Sequence, residues 1–497
     1  PQYFKENGYI TAGVGKIYDP RCVDEFRDQP SWSLPFIKEG DLNYPKEYGE
    51  PALGYYQNKQ IKKQITALRK DTQDKGVSNI NKYVRDRYKP PFEISNAPDE
   101  AYTDGAIAVS ALSLLDEVIE DSKKPFFLAV GFKRPHLPFV APKKYWDLYD
   151  KEAIQLATFQ NKSKNGTDLA YHSSGEMRSY QSPEVEYKLN EKKLLEMDEE
   201  LQKKLIHGYY ACVSFVDTQV GKIIEKLKEK DLDKNTIIVV FGDHGWHLGD
   251  HSLWNKHSNF EQATRSPLMI YVPDGKKTVK VSSPTEFVDL FPTLCELSGL
   301  SVPENLDGKS LVPFINQSNN VDKKYAVSQW HKGKVTGYSF RTETYRYTVW
   351  IDKKKSTEVI TSNDIVAQEL YDYSKDPLET VNHFGYADYK TIQEELINYS
   401  KAYFNSELLK TKGSKRSSDT IIVGATLNHN ELNSIKEELF LKDFKYLTPA
   451  NAAKQTKIHP TPKVWNWQQI DDFISLAQKH DLQVRLHGPI SPQASQW

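Results

Sequence analysis

The feature that most constrains this chain is an order that occurs twice: a segment of helical period, a short break, then a compact apolar run. From Ala106 to Ile119 the apolar residues Ile107, Leu112, Leu115 and Ile119 recur at helical spacing. The pattern breaks at Lys123-Lys124-Pro125 and resumes as the uninterrupted run Phe126 to Val130. The order returns with Tyr209, Val213, Val216, Val220, Ile224 and Leu227, followed by Thr236 to Phe241, which is rich in β-branched residues. Helices alternating with apolar strands predict an α/β fold with a mainly parallel central sheet of buried strands.

Between the two units, residues 150–198 are polar and lack clear period, which predicts a long surface excursion of the kind that often carries function. After Phe314, short runs such as Tyr338 to Phe340 and Tyr345 to Ile351 predict a smaller antiparallel subdomain. The expected organisation is a main domain over 1–320, the subdomain over 321–409, a polar linker over 410–418 and a further unit over 419–497. At 497 residues the chain exceeds what a single core sustains. No stretch approaches the roughly 18 apolar residues that would span a bilayer. The 66 basic and 67 acidic side chains nearly cancel, which removes any bulk argument for a nucleic-acid partner. An anionic ligand must then be met by a local cluster. Cys22, Cys212 and Cys295 are too few for a disulfide framework and lack metal-type spacing.

The strongest local signal is Phe241-Gly242-Asp243-His244-Gly245-Trp246-His247-Leu248-Gly249-Asp250-His251, at the carboxyl end of an expected strand. Ligands gather in the crevice beyond such ends in open α/β sheets. A carboxylate beside an imidazole, with glycines permitting a tight turn, makes a candidate metal corner. A polar turn whose histidines are satisfied by backbone explains the same residues. Lys256 follows in Trp254-Asn255-Lys256-His257-Ser258-Asn259-Phe260, ahead of the strand-like Met269 to Val272. The strand ending near Val130 delivers Lys133-Arg134-Pro135-His136-Leu137-Pro138. Basic residues and histidines leaving the same end of two strands suit an anionic substrate beside a cation.

These residues carry a family resemblance. Gly8-Tyr9-Ile10-Thr11, Gly15-Lys16, Pro135-His136-Leu137-Pro138, Asp243-His244-Gly245 and Lys256 are similar, in order and spacing, to the type I sulfatases of the alkaline-phosphatase superfamily. The wider context, including Pro1 to Gly8, Tyr209 to Gly221, Ser258 to Pro267, Gly337 to Trp350 and Glu369 to Pro377, most resembles the iduronate-2-sulfatase branch, over about 1–409. The resemblance implies a sulfatase fold and hydrolysis of a sulfate ester on a sulfated polysaccharide or oligosaccharide. It also implies one Ca2+ ion and a formylglycine nucleophile, made from Cys or Ser in Cys/Ser-x-Pro/Ala-x-Arg by a formylglycine-generating enzyme. In that chemistry the hydrated aldehyde attacks sulfur, the sugar alcohol leaves, and sulfate is then eliminated.

Residue by residue, the resemblance makes Asp243 and His244 metal ligands and sets Lys16 and Lys256 on the sulfate oxygens. It makes His136 a sulfate contact or the acid that protonates the leaving alcohol. Trp246 lines the sugar pocket or simply packs. The three cysteines lack the maturation context, and the family's paired aspartates are not found, Asp471-Asp472 falling in an expected helix of another unit. Both elements are expected upstream of Pro1, and the chain without them is expected to be inactive. Asp19 stands where relatives place a histidine. A bacterial source would imply a periplasmic or secreted protein. The rival readings are a phosphoester hydrolase of the same superfamily, usually with two transition metals, and a non-catalytic protein that binds sulfated glycans.

The tail has a resemblance of its own. Ile421 to Thr426, Phe444 to Lys454, Trp465-Asn466-Trp467 and Val484-Arg485-Leu486-His487 are similar to the first two βα units of family 10 glycoside hydrolases, the xylanase barrels. By that likeness Asn451, Lys454 and His487 would contact sugar. Two of eight units cannot close a barrel, and the carboxylate pair of a retaining glycosidase is not expected in this piece. No glycosidase activity is therefore expected of it, although its presence favours a polysaccharide target.

Overall fold

The computed structural model describes residues 1–19, 23, 27–72, 75, 77–120, 124–273, 278–316, 323–352, 362–413, 424–449 and 466–484. It divides into two compact units, Pro1–Asn405 and Ser406–Trp497.

The first unit is built on strands β1 (Ile10–Gly15), β2 (Phe92–Ser95), β3 (Phe126–Gly131), β4 (Phe139–Pro142), β5 (Ile238–Phe241) and β6 (Leu268–Tyr271). β1 runs parallel to β3 and β2 parallel to β4, whereas β5 and β6 are antiparallel. Helix α1 (Thr103–Ile119) packs on β1 and β3 and against helix α2 (Glu199–Glu229). Covered on several sides, α1 buries residues all round its circumference, from Thr103 and Asp104 to Leu115 and Val118.

The sequence places the start of α2 near Tyr209, but the helix begins ten residues earlier. The Asp198 side chain accepts the Leu201 N–H at its amino end. Glu199 and Glu200 in the first turn and Lys226 and Lys228 in the last suit the helix dipole.

The strands depart from expectation in burial. Residues Phe126 to Val130 of β3 are only half-buried, and Phe241 at the end of β5 is 49% exposed. Among the described residues, β3 pairs on one side with β1, and β5 on one side with β6. Each therefore keeps an open edge, where a doubly flanked strand would be covered.

A four-stranded antiparallel meander follows: β7 (Ala326–Lys332), β8 (Val335–Arg341), β9 (Tyr345–Asp352) and β10 (Ile365–Asp372), in sequential order. Phe340, Tyr347, Val349, Ile351 and Leu370 form its core with Leu396 of helix α3 (Lys390–Gly413). That helix continues to Gly413, so the expected linker from Lys410 is helical in its first residues, where lysine and threonine are compatible with a helix.

One buried ionic joint ties the meander to the site-bearing segment after Lys256. Arg346, 1% exposed, places Nε 2.9 Å from Glu379 Oε1 and bonds Glu261 through its second arm. Arg341 adds a 2.9 Å contact to Glu261. Burial alone would push the Glu261 carboxyl up, but Arg346 and Arg341 outweigh it and hold it at about 2.

The second unit contains three parallel strands, β11 (Gly424–Leu427), β12 (Tyr446–Pro449) and β13 (Gln483–Val484), with helices α4 (Ile435–Asp443) and α5 (Gln468–His480). Leu427, Phe440, Leu447, Phe473 and Leu476 form its core. No closed barrel exists among the described residues. Asp471 and Asp472 lie on α5, and Asp472 pairs with His429 at 2.7 Å. Asn451, Lys454 and His487 lie outside the described residues, as does Cys22. Cys212 and Cys295 are buried free thiols, and burial pushes the Cys212 thiol up to about 12.

Candidate active site

A glycine pair lets two strands deliver their side chains to one place. Gly15 has a φ of +82°, and a Cβ there would lie 2.3 Å from the Gly131 carbonyl oxygen. A Cβ on Gly131 would lie 2.1 Å from the Lys16 carbonyl oxygen. With neither Cβ present, β1 and β3 stay in contact to their ends and the Lys16 N–H donates to Gly131 at 2.8 Å. Lys16 then leaves from β1, while the segment carrying His136 leaves from β3.

That segment is held from below by Asp104 at the start of α1. Its carboxylate accepts the Lys133 N–H and lies 3.6 Å from the Arg134 guanidinium, both side chains of this pair being almost fully buried. The basic pair read as part of the anion cluster is therefore directed elsewhere. Arg134 serves the loop itself, and the Lys133 ammonium bonds Glu39 at 2.8 Å.

His136 faces the site. Its Nδ1–H donates to the Leu137 carbonyl at 2.9 Å, leaving Nε2 inward. Nε2 lies 2.8 Å from Lys256 Nζ and 2.8 Å from Glu176 Oε1. The Lys256 ammonium in turn reaches Glu176 Oε1 at 3.1 Å.

Asp243 and His244 follow β5. Gly245 makes their turn possible, since a Cβ there would meet the Gln262 carbonyl oxygen at 2.0 Å. Asp243 Oδ2 accepts from Lys16 Nζ at 2.8 Å, and Oδ1 lies 3.5 Å from His244 Nε2. The His244 Nδ1–H donates to the Gly245 carbonyl at 2.8 Å, so its Nε2 lone pair points toward Asp243. Desolvation opposes the Asp243 charge, yet the Lys16 ammonium that donates to it, with Lys256 beyond, holds its carboxyl below the ordinary value. Burial also pulls His244 below the ordinary imidazole value, and the charges of Lys256 and Lys16 act in the same direction. An oxygen and a neutral nitrogen 3.5 Å apart match two adjacent ligands of one cation with bonds of about 2.4 Å. Two donors are an incomplete shell, and no group of three or more His, Cys, Asp or Glu able to hold a metal exists among the described residues.

Trp246 joins the two halves. Its ring centroid lies 5.2 Å from that of His136 and 5.9 Å from that of His244, with Lys256 Nζ 5.2 Å from the ring. The residue also packs in the core with Phe139 and Tyr209, and its buried Nε1 has no hydrogen-bond partner. His247, fully buried, bridges Asp250 and Ser258, the latter at 2.8 Å, and so pins the loop that presents Lys256. The five residues picked from sequence thus form two contacting sets, Lys16–Asp243–His244 and His136–Lys256, meeting at Trp246.

Glu176 completes the second set and was not foreseen. It sits on the short helix Gly175–Arg178 within the polar excursion, where no periodicity or spacing marks it. Only the general expectation that a long loop carries function pointed to its neighbourhood. A cavity of about 510 Å³ lined by Asn161, Lys162, Lys192, Gln202 and Trp254 includes none of these residues.

A family model described as sulfatase matches residues 1–300, and one for the C-terminal region of N-sulphoglucosamine sulphohydrolase matches 249–403. A glycosyl hydrolase family 10 model matches 413–497. The chain is 31% identical to iduronate 2-sulfatase of Mus musculus over 78% of its length and 76% of that protein. It is 29% identical to a sulfatase of Formosa agariphila over 80% of its length and 68% of that protein. Among solved structures, the phosphonate monoester hydrolase of Agrobacterium radiobacter aligns with a TM-score of 0.55 at 22% identity, covering 82% of this chain and 79% of that one. A complex with D-glucosamine-2-N,6-O-disulfate as substrate aligns with a TM-score of 0.51 at 19% identity, covering 84% and 83%. These two likenesses concern the fold.

Proposed function

The chain belongs to the sulfatase family of sulfuric ester hydrolases, and from that premise we propose that it removes sulfate from a sulfated glycan, at the 2-position of a uronic acid or a closely related sugar. The observation that carries this reading is the junction, at Trp246, of two contacting sets, Lys16–Asp243–His244 and His136–Lys256. The likeness of most of the chain to iduronate 2-sulfatases is what supports the 2-position.

In this reading Lys16 and Lys256 bind the sulfate oxygens and offset the charge that shifts onto them as the ester bond breaks. His136 gives a proton from Nε2 to the leaving sugar oxygen, its Nδ1–H being committed to Leu137. Asp243 Oδ1 and His244 Nε2 would hold a calcium ion as two of its ligands. Such an ion would supply positive charge to the sulfate. A formylglycine, the nucleophile that the family resemblance implies, would attack the sulfur. Trp246 closes one wall, its ring set against His136, His244 and Lys256. The domains of this reading are a catalytic body over 1–320, a supporting subdomain over 321–409 and a polysaccharide-directed tail from 419, in which Asn451, Lys454 and His487 contact sugar.

The test is sulfate release by the protein extended to its upstream nucleophile and coexpressed with a formylglycine-generating enzyme. Release from 2-O-sulfated uronate oligosaccharides is expected. Turnover of phosphoesters with none of any sulfate ester would instead assign a phosphoester hydrolase, and tight glycan binding without turnover a binding protein.

A further inference from the structure

Most cations around the candidate active site have a carboxylate of their own. Lys16 bonds Asp243, Lys256 bonds Glu176, Lys133 bonds Glu39, and Arg134 lies against Asp104. Lys89, just ahead of β2, has no carboxylate within ion-pair distance among the described residues. Its ammonium instead rests over the Tyr180 ring, 3.5 Å from the centroid. The main chain fixes this placement, since the Lys89 N–H donates to the Gln181 carbonyl at 2.7 Å. Burial, with the like charge of Arg85, pulls the amine down to about 8. A half-buried ammonium that meets only a ring face is poorly compensated in the free protein.

Lys89 shares a neighbourhood with His136 and Lys256. The short helix Gly175–Arg178 carries Glu176, which touches both of them. Its winding continues to Tyr180, whose N–H donates to the Met177 carbonyl at 2.9 Å. From Glu176 to Tyr180 such a winding rises about 6 Å, the scale of one sugar ring. Glu176 accordingly acts on the Lys89 charge as well. In a uronic acid pyranose, C2 and C5 are opposite corners of the ring, so a 2-O-sulfate and the C5 carboxylate leave it at opposite ends. A sugar of that kind needs a second cation, set about one ring away from the sulfate.

We propose that Lys89 is a specificity-determining residue of the same site, pairing with the carboxylate of the uronic acid whose sulfate meets His136 and Lys256. The inference rests on the sulfatase reading for the place of the sulfate. The substrate carboxylate gives Lys89 the anion it lacks in the free protein. A charge-assisted hydrogen bond at a half-buried ammonium then favours a uronate over a neutral sugar bearing the same sulfate.

Lys89→Met keeps an apolar stem on Tyr180 and removes the charge. Calorimetric titration of this chain compares a 2-O-sulfated uronate disaccharide with its carboxyl-reduced form, in which a neutral alcohol replaces the carboxylate. Wild type is expected to bind the uronate form roughly tenfold tighter, and Lys89→Met to bind the two forms alike, at the affinity wild type has for the reduced one. Lys89→Arg should restore part of the preference. Equal affinities in wild type, or a preference that survives in Lys89→Met, overturn the inference. So does an equal loss of both ligands in the variant, which marks a structural role, and so does the absence of binding of either form by wild type. In the nucleophile-bearing protein, Lys89→Met is expected to lower kcat/KM on the uronate ester by roughly tenfold and to leave that on the reduced ester within roughly threefold. If wild type discriminates through Lys89 but releases sulfate from neither ester, the functional reading fails and the carboxylate site stands.

Discussion

The Lys16 ammonium and the Asp243 carboxylate meet at 2.8 Å although they leave different strands, β1 and β5. Both side chains are substantially exposed, at 42% and 61%, so the pair contributes at most about 1 kcal/mol to stability. Its importance lies in where it holds the two charges. Lys16→Ala is expected to leave the melting temperature nearly unchanged while lowering kcat/KM on a sulfate ester by roughly 10²- to 10³-fold. Parallel thermal melts and steady-state kinetics check both halves.

Asp243 Oδ1 and His244 Nε2, 3.5 Å apart, are the two donors assigned to calcium. Chelation is expected to abolish sulfate release, with recovery on adding calcium. Asp243→Ala should weaken calcium binding by at least roughly 10-fold, measured by calorimetry on the nucleophile-bearing protein. The remaining ligands of that protein would still bind the ion, so a loss of affinity and not of all binding is expected.

Arg346 neutralises Glu261 and Glu379 in the joint between the meander and the loop behind Lys256. Arg346→Met leaves the buried Glu379 carboxylate without its cation and Glu261 with Arg341 alone. Its expected cost is about 3–5 kcal/mol, read from urea unfolding of the first unit. Because Glu261 borders the segment that carries Lys256, activity should fall in proportion to the folded fraction.

His251 stacks on Phe260 at 4.0 Å between ring centroids and is fully buried. Burial, with the neighbouring His247, holds its imidazole down at about 3. Unfolded, the ring titrates near 6.5, so as pH falls below that value the unfolded chain takes up a proton that the folded chain refuses. Stability present above pH 6.5 is therefore lost progressively toward pH 3. At pH 5.5 the loss from this ring is about 1.4 kcal/mol. Urea unfolding at pH 7.5 and 5.5 should show a smaller acid loss for His251→Phe than for wild type.

Much of this was legible in the sequence because it rests on periodicity. The helical period before Phe126 to Val130 and before Thr236 to Phe241 locates α1, β3, α2 and β5, and with them the strand ends that bear His136 and Asp243. What escaped depends on contacts between distant segments. Lys133 and Arg134 look like free cations at a strand end, yet Glu39 and Asp104 claim them. Glu176 looks like one more charge in a polar excursion, and only the fold brings it to His136. Arg346, in a strand of alternating apolar residues, gives no sign of the two carboxylates it faces. The start of α2 was missed because its first turns, capped by Asp198, carry little apolar pattern.

The most direct test of the central claim is a crystal structure of the nucleophile-bearing protein with calcium and a sulfated uronate disaccharide. The account predicts one cation touching Asp243 and His244, with the sulfate group between Lys16, Lys256 and His136. A disaccharide whose sulfate lies elsewhere, for instance in the cavity lined by Lys162 and Lys192, with Lys16 and Lys256 contacting no ligand, would contradict it.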